Sequence, residues 1–114
     1  MSQIPTYENF AITSGADQSG NPVLTAHGDI DALEVPRFKD SIDEAAARKS
    51  AYVILNLSRV GLFNSGAMQA VREANTQLSQ SGQELVVEDP SPAVTKIIGL
   101  TESGDELMFS LTDA

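Results

Sequence analysis

Apolar and polar positions alternate with two different periods along this chain, and the change from one to the other marks where its elements meet. Val53, Ile54, Leu55 and Leu57 form a nearly continuous apolar run broken only by Asn56. That is the pattern of a strand covered on both faces near the centre of a sheet, with Ile54 and Leu55 expected in the core. Ser58 and Arg59 then read as a turn after this strand. From Ser65 the period lengthens to about 3.6 residues. Met68, Val71, Asn75 and Leu78 fall on one stripe, so a helix is expected to begin near Ser65 and pack that stripe inward. The junction from Phe63 to Gly66, where strand period becomes helix period, is where function is sought.

The flanking segments follow the same logic. Phe10 and Ile12 alternate between Asn9 and Ser14, and Val23 to His27 forms a second apolar run. Between them, Gly15 to Pro22 concentrates Gly, Asp, Asn and Pro, which predicts an antiparallel hairpin with a somewhat long connection. Phe38, Ile42, Ala45 and Ala46 repeat at helical spacing before Lys49. Asp31 and Glu34 have the spacing of a capping box, but Pro36 would then sit inside the helix and remove an early hydrogen bond, so a start nearer Val35 is the competing reading. In either case acids stand toward the beginning and Arg48 and Lys49 at the end, as the helix dipole prefers. Ser81 and Gly82 close the helix that begins at Ser65, and Glu84 to Glu88 predicts another strand. In Asp89-Pro-Ser-Pro92, Ser91 is placed to cap a short helix whose first residue is Pro92. Val94, Ile97 and Ile98 form its apolar face. Leu107 to Leu111 fits either a closing helical turn or a last short strand. Strands alternating with helices after a hairpin give an α/β fold, a mixed sheet with helices packed on it. Right-handed crossovers are expected to join its successive strands.

Composition narrows this further. At 114 residues and 41% hydrophobic content, one domain spanning residues 1–114 is expected, with residues 1–8 as a flexible lead-in. Cysteine is absent, which removes disulfides, thiolate metal sites and cysteine nucleophiles and suits a reducing cytoplasm. No apolar run approaches the roughly 20 residues of a membrane helix, and the first residues lack a signal-peptide pattern, so a cytoplasmic protein without membrane insertion is expected. Seven Lys and Arg against 16 Asp and Glu give a formal charge of −9. Such a surface repels phosphate backbones, so no direct nucleic-acid partner is expected.

Candidate chemistry is sparse. His27 is the sole histidine, so neither a His-paired metal site nor a triad can be assembled. Asp29 and Asp31 alternate at a strand end and share a side, where they either meet a basic partner, hold a divalent cation, or simply form a solvated strand end and a helix cap. With no activated nucleophile and no tuned acid-base pair, the chain reads as a non-enzymatic interaction module without cofactor or metal.

Gly28-Asp-Ile-Asp31, Pro36, Val53-Ile-Leu-Asn-Leu-Ser-Arg-Val60, Phe63-Asn-Ser-Gly66 and Asp89-Pro-Ser-Pro-Ala-Val94 occur in this order. With these segments the chain resembles a STAS domain, and within that family the single-domain bacterial anti-sigma factor antagonists, over nearly its whole length. The resemblance implies a STAS-like mixed β-sheet of four or five strands with helices mainly on one side. It implies a binding activity: capture of an anti-sigma factor of the ATP-binding kinase type, which frees a sigma factor for transcription. Monomer and homodimer both fit. Two other roles fit the same family, a cytoplasmic accessory subunit of a membrane transporter and a small-ligand sensor.

In such antagonists the junction reads Asp-Ser-Ser or Asp-Ser-Thr and then Gly, the second hydroxyl residue being the phosphoacceptor. A gapless alignment puts Asn64 on the aspartate, Ser65 on the first serine and Gly66 on the acceptor, leaving a degenerate phosphorylation site. A one-residue gap instead makes Ser65 the phosphorylation candidate, but shifts the helix stripe by about 100°. The implied partner-binding surface comprises Asp31, Asn64, Ser65, Gly66, Met68 and Ser91, drawn from three loops expected at one end of the sheet.

Overall fold

The hairpin forms as expected, with longer strands and a tighter loop than the turn residues suggest. β1 (Ala11–Ala16) pairs antiparallel with β2 (Pro22–Ile30), Ala11 opposite His27 and Ala16 opposite Pro22. Asp17 organises the turn between them. Its Oδ1 accepts hydrogen bonds from Ser19 N and Asn21 N, both at 2.9 Å, and its Oδ2 accepts one from Asn21 Nδ2 at 3.1 Å. Asn21 is itself buried, and its Oδ1 accepts from Tyr52 N at 3.2 Å. The turn is thereby tied to the next strand. The structure, a computed structural model, describes residues 10–101 and 108–110. The lead-in at residues 1–8 and the side chain of Ile98 lie outside the described residues.

After the hairpin, helix and strand alternate: α1 (Val35–Ala46), β3 (Tyr52–Phe63), α2 (Ser65–Gln80), β4 (Glu84–Glu88), α3 (Pro92–Thr101) and β5 (Met108–Ser110). Within the C-terminal segment, open between helix and strand from its sequence, the described residues Met108–Ser110 form a strand. All five strands form one sheet in the order β1-β2-β3-β4-β5, parallel from β2 onward. Strands added always on the same side through right-handed crossovers put their helices on one face. The packing agrees, since α1 lies against α2 and α2 against α3.

Burial follows that arrangement residue by residue. Leu24, Leu55 and Val87 stand in register across β2, β3 and β4, and all are buried beneath the helices. Val23, Ile54 and Val86, the neighbouring row, face the opposite side and are only half-buried. This corrects the expectation for the central strand: β3 is covered by helices on one face alone, and Ile54 belongs to the other. From α2 the core takes Met68, Val71 and Leu78, and from α1 it takes Phe38 and Ile42. Phe38 lies edge-on to both Phe10 and Phe63, with ring centroids 6.3 Å away in each case. Such pairs contribute about 0.5 to 1.5 kcal/mol beyond their buried area. Phe63 immediately precedes the strand-to-helix junction, so this stack fixes where the junction sits.

Helix termini differ from expectation in one place. α1 starts at Val35 with Pro36 in its first turn, has no acid in that turn, and ends at Ala46, leaving Arg48 and Lys49 beyond it. The dipole pairing read from the sequence therefore does not form. Lys49 instead takes a positive φ of 62° where the chain reverses toward β3. Gly82, with φ of 77°, follows α2 as predicted.

Two outcomes test this packing. Leu55→Ala is expected to lose about 2 to 5 kcal/mol in urea denaturation, and a loss below about 0.5 kcal/mol would place Leu55 outside the core. Hydrogen bonds from Asn21 chiefly hold the Asp17 carboxyl below its ordinary value of 3.8. A depressed folded-state pKa contributes stability that is present above the unfolded value and lost as pH falls through the folded one. Between about pH 6 and about pH 3, the wild type should therefore lose more stability than Asp17→Asn. Equal losses would show that the carboxylate is not held.

Candidate functional site

The upper end of the sheet, where the parallel strands terminate, is built by an irregular β3. Against β2, Thr25 pairs with Asn56 but His27 with Arg59, and Gly28 pairs with Val60 but Asp29 with Leu62. Extra residues are accommodated twice in β3, which is the signature of bulges. They explain why Ser58 and Arg59, which read as a turn, lie within a strand: the bulges break the period-two pattern without ending the pairing. A side chain at Gly61 would bring its Cβ to 2.9 Å from Asp29 Oδ1, so this position admits only glycine without rearrangement.

The register then aligns two loops. Ile30 pairs with Phe63, so Asp31 and Asn64 leave the sheet side by side. Asp31 Oδ1 accepts from Leu33 N at 3.0 Å and Glu34 N at 3.2 Å, and Asp31 O accepts from Glu34 N at 3.0 Å. Asp31 thus closes a turn ahead of α1 and does not cap the helix, whose N-cap Glu34 makes no side-chain capping bond. Asn64 is the true N-cap of α2: its backbone is extended and its Oδ1 accepts from Ala67 N at 2.8 Å. Ser65 and Gly66 are exposed at the first turn. A Cβ on Gly66 would lie 3.3 Å from Asn64 Oδ1 and 3.7 Å from Val35 Cγ2, so α2 begins in close contact with α1.

The third loop arrives by a different route. β4 pairs with β3 only as far as Asn56 opposite Glu88. Beyond that point the chain takes a positive φ of 49° at Asp89 and climbs along β3. Ser91 N donates to Leu57 O at 3.1 Å and Ser91 Oγ donates to Val60 O at 2.7 Å. The Ser91 hydroxyl also accepts from Val94 N at 3.4 Å, as the cap expected for α3.

Of the six residues assigned to partner binding, four stand on this end of the molecule: Asp31, Asn64, Ser65 and Gly66. Met68 and Ser91 do not reach solvent. Met68 is 2% exposed because it faces the sheet from the second turn of α2, and Ser91 is 5% exposed because its hydroxyl serves β3. Both support the surface from beneath. Ser65, by contrast, is not consumed by capping, since Asn64 performs that role. Asp29 lies half-buried in β2 beside Gly61, and among the described residues no group of three or more side chains is arranged to hold a metal ion. Nor is any helix among them long and apolar enough to cross a membrane.

The STAS domain family model matches residues 15–113. The chain belongs to the STAS family. Among solved structures, the domain is similar to an anti-sigma factor antagonist from Mycobacterium paratuberculosis, at 20% identity and a TM-score of 0.80 over 92% of this chain and 89% of that one. It is also similar to the anti-sigma factor antagonist SpoIIAA in its unphosphorylated form, at 19% identity and a TM-score of 0.73 over 90% of each chain. The phosphorylated form of SpoIIAA, a Bacillus cell fate determinant, matches at 18% identity with a TM-score of 0.68, over 90% of this chain and 94% of that one. No curated protein sequence matches significantly. At these identities the structural likeness establishes the STAS fold.

The supporting bonds are testable by urea denaturation. Ser91→Ala strips Val60 O of its partner in a buried setting and is expected to cost about 1 to 3 kcal/mol. Asn64→Ala removes the α2 cap and should cost about 1 kcal/mol. If Ser91→Ala is neutral, the loop is not held to β3 as described.

Proposed function

We propose that this STAS domain is a non-enzymatic anti-sigma factor antagonist, capturing an anti-sigma factor of the ATP-binding kinase type in the bacterial cytoplasm and so freeing a sigma factor. The observation that carries the reading is the exposed Ser65-Gly66 step at a capped helix N-terminus, flanked by the Asp31 turn. The structural likeness to anti-sigma factor antagonists supports it. A docking surface needs a rigid frame and accessible edges, and the Asn64 cap, the Phe38 stack and the Ser91 bonds supply that frame. Asp31, Asn64, Ser65 and Gly66 are the proposed contact residues, with Met68 and Ser91 holding them in place.

In this reading the phosphorylation site is degenerate. Gly66 carries no hydroxyl at the position the family resemblance assigns to the acceptor, and Asn64 replaces its neighbouring aspartate. A phosphate on Ser65 would be tolerated by the free N–H groups of the helix terminus while placing about two negative charges in the contact surface. Control of this antagonist therefore lies outside phosphorylation of its junction, for instance in its own synthesis.

Calorimetric titration of the purified domain with the ATP-binding anti-sigma factor of its host tests the reading. Wild type should bind. Ser65→Glu should lose about 2 kcal/mol or more of binding free energy while melting as wild type does, because an acid in the first turn suits the helix dipole. Binding equal to wild type would remove Ser65 from the surface. Incubation with the same kinase, ATP and magnesium should leave the intact mass unchanged, and one added phosphate mapping to Ser65 would overturn the degenerate site.

A further inference from the structure

Leu33 is 87% exposed, whereas the other exposed large apolar side chains among the described residues, Leu62 and Tyr52, stand at 46% and 41%. A scattered exposed leucine is ordinary on protein surfaces. What distinguishes Leu33 is its mounting. Its own N–H donates to Asp31 Oδ1, and Glu34 N closes the turn onto both Asp31 Oδ1 and Asp31 O. The side chain therefore projects from a backbone locked by three hydrogen bonds, so little backbone freedom is lost when it is buried by something else.

Its neighbours define what that something is. The turn carrying Leu33 contains Asp31 and Glu34, and Asp29 lies at the end of the preceding strand. The nearest cation in sequence, Arg37, is exposed but engaged within the domain: its guanidinium stacks 5.0 Å above the Phe10 ring and its Nη1 donates to Phe10 O at 3.4 Å and Glu34 Oε1 at 3.5 Å. Leu62, next to last in β3, stands opposite Asp29 at the same end of the sheet. An apolar knob set among acids, on a chain of formal charge −9, complements an apolar pocket rimmed by Lys or Arg. The same charge opposes self-docking of this surface and its approach to anionic lipid.

We propose that Leu33, seconded by Leu62, is the apolar anchor by which this domain seats itself in a basic-rimmed hydrophobic pocket of its protein partner. This rests on the functional reading above and names the chemistry of the surface that reading requires. Interface energy concentrates in few buried anchors while charged rims mainly set the rate of encounter. Leu33 supplies the first role, and Asp31 with Glu34 the second.

The test is titration of the host's purified ATP-binding anti-sigma factor with wild type, Leu33→Ser, Leu62→Ser and Tyr52→Ser, at low and moderate salt. Leu33→Ser should raise Kd about 10- to 100-fold without changing the thermal melt, and Leu62→Ser should raise it less. Tyr52→Ser, at the opposite end of β3, should bind as wild type does. Wild-type affinity should fall with added salt. Binding by Leu33→Ser equal to wild type, beside a binding wild type, overturns the anchor and leaves the functional reading standing. Failure of wild type to bind overturns that reading and the anchor with it. A shift confined to self-association in sedimentation would assign Leu33 to a second copy of the chain and overturn the proposal.

Discussion

Beyond Asn56, β3 has run out of β4, and the architecture of the upper end follows from how its remaining carbonyls are satisfied. A buried backbone acceptor without a partner costs about 1 to 3 kcal/mol, so a central strand cannot outrun its neighbour unless something else reaches it. The Ser91 loop does so, giving its N–H to Leu57 O and its hydroxyl to Val60 O. One short loop thus serves as the missing length of β4 and as the cap of α3. Because those bonds draw the loop over β3, the start of α3 is held at the same end of the sheet as the starts of α1 and α2.

The junction itself is stiff for a related reason. Phe63 is held by Phe38 below the sheet end, Asn64 closes the first turn of α2, and Gly66 lies close to Asn64 and Val35, where an added Cβ would come within 3.3 and 3.7 Å. Exposed polar groups on such a frame lose little freedom when a partner covers them. The surface is small and acidic, and its shape is decided by residues that never touch solvent.

Much of this was readable from local signals. Glu84 to Glu88, the start of α2 at Ser65 and its close before Gly82 match because strand composition, an Asx cap and a left-handed glycine each act within a few residues. Ser91 was readable as a cap, but its bond to Val60 joins segments far apart in the chain, and no local pattern announces it. The upper half of β3 was hidden because its bulges place Ser58, Arg59 and Gly61 where alternation would demand apolar residues. Met68 shows how one residue invites two readings. Its place on the helical stripe marked it for the interior, the family surface drew it outward, and packing against the sheet settles it as core. Leu33 carries no local signal, since exposure of a turn residue depends on what the rest of the fold leaves uncovered.

The order β1-β2-β3-β4-β5 means that neighbours in the sheet are also neighbours in the chain. Every strand after the hairpin pairs with the one just before it, across a single helix among the described residues, so loop closure at each step is short. A chain emerging from the ribosome can therefore grow its sheet in the direction of synthesis, each strand finding its template already in place. The turn of the hairpin, tied to Tyr52 through Asn21, fixes the start of the strand that follows it.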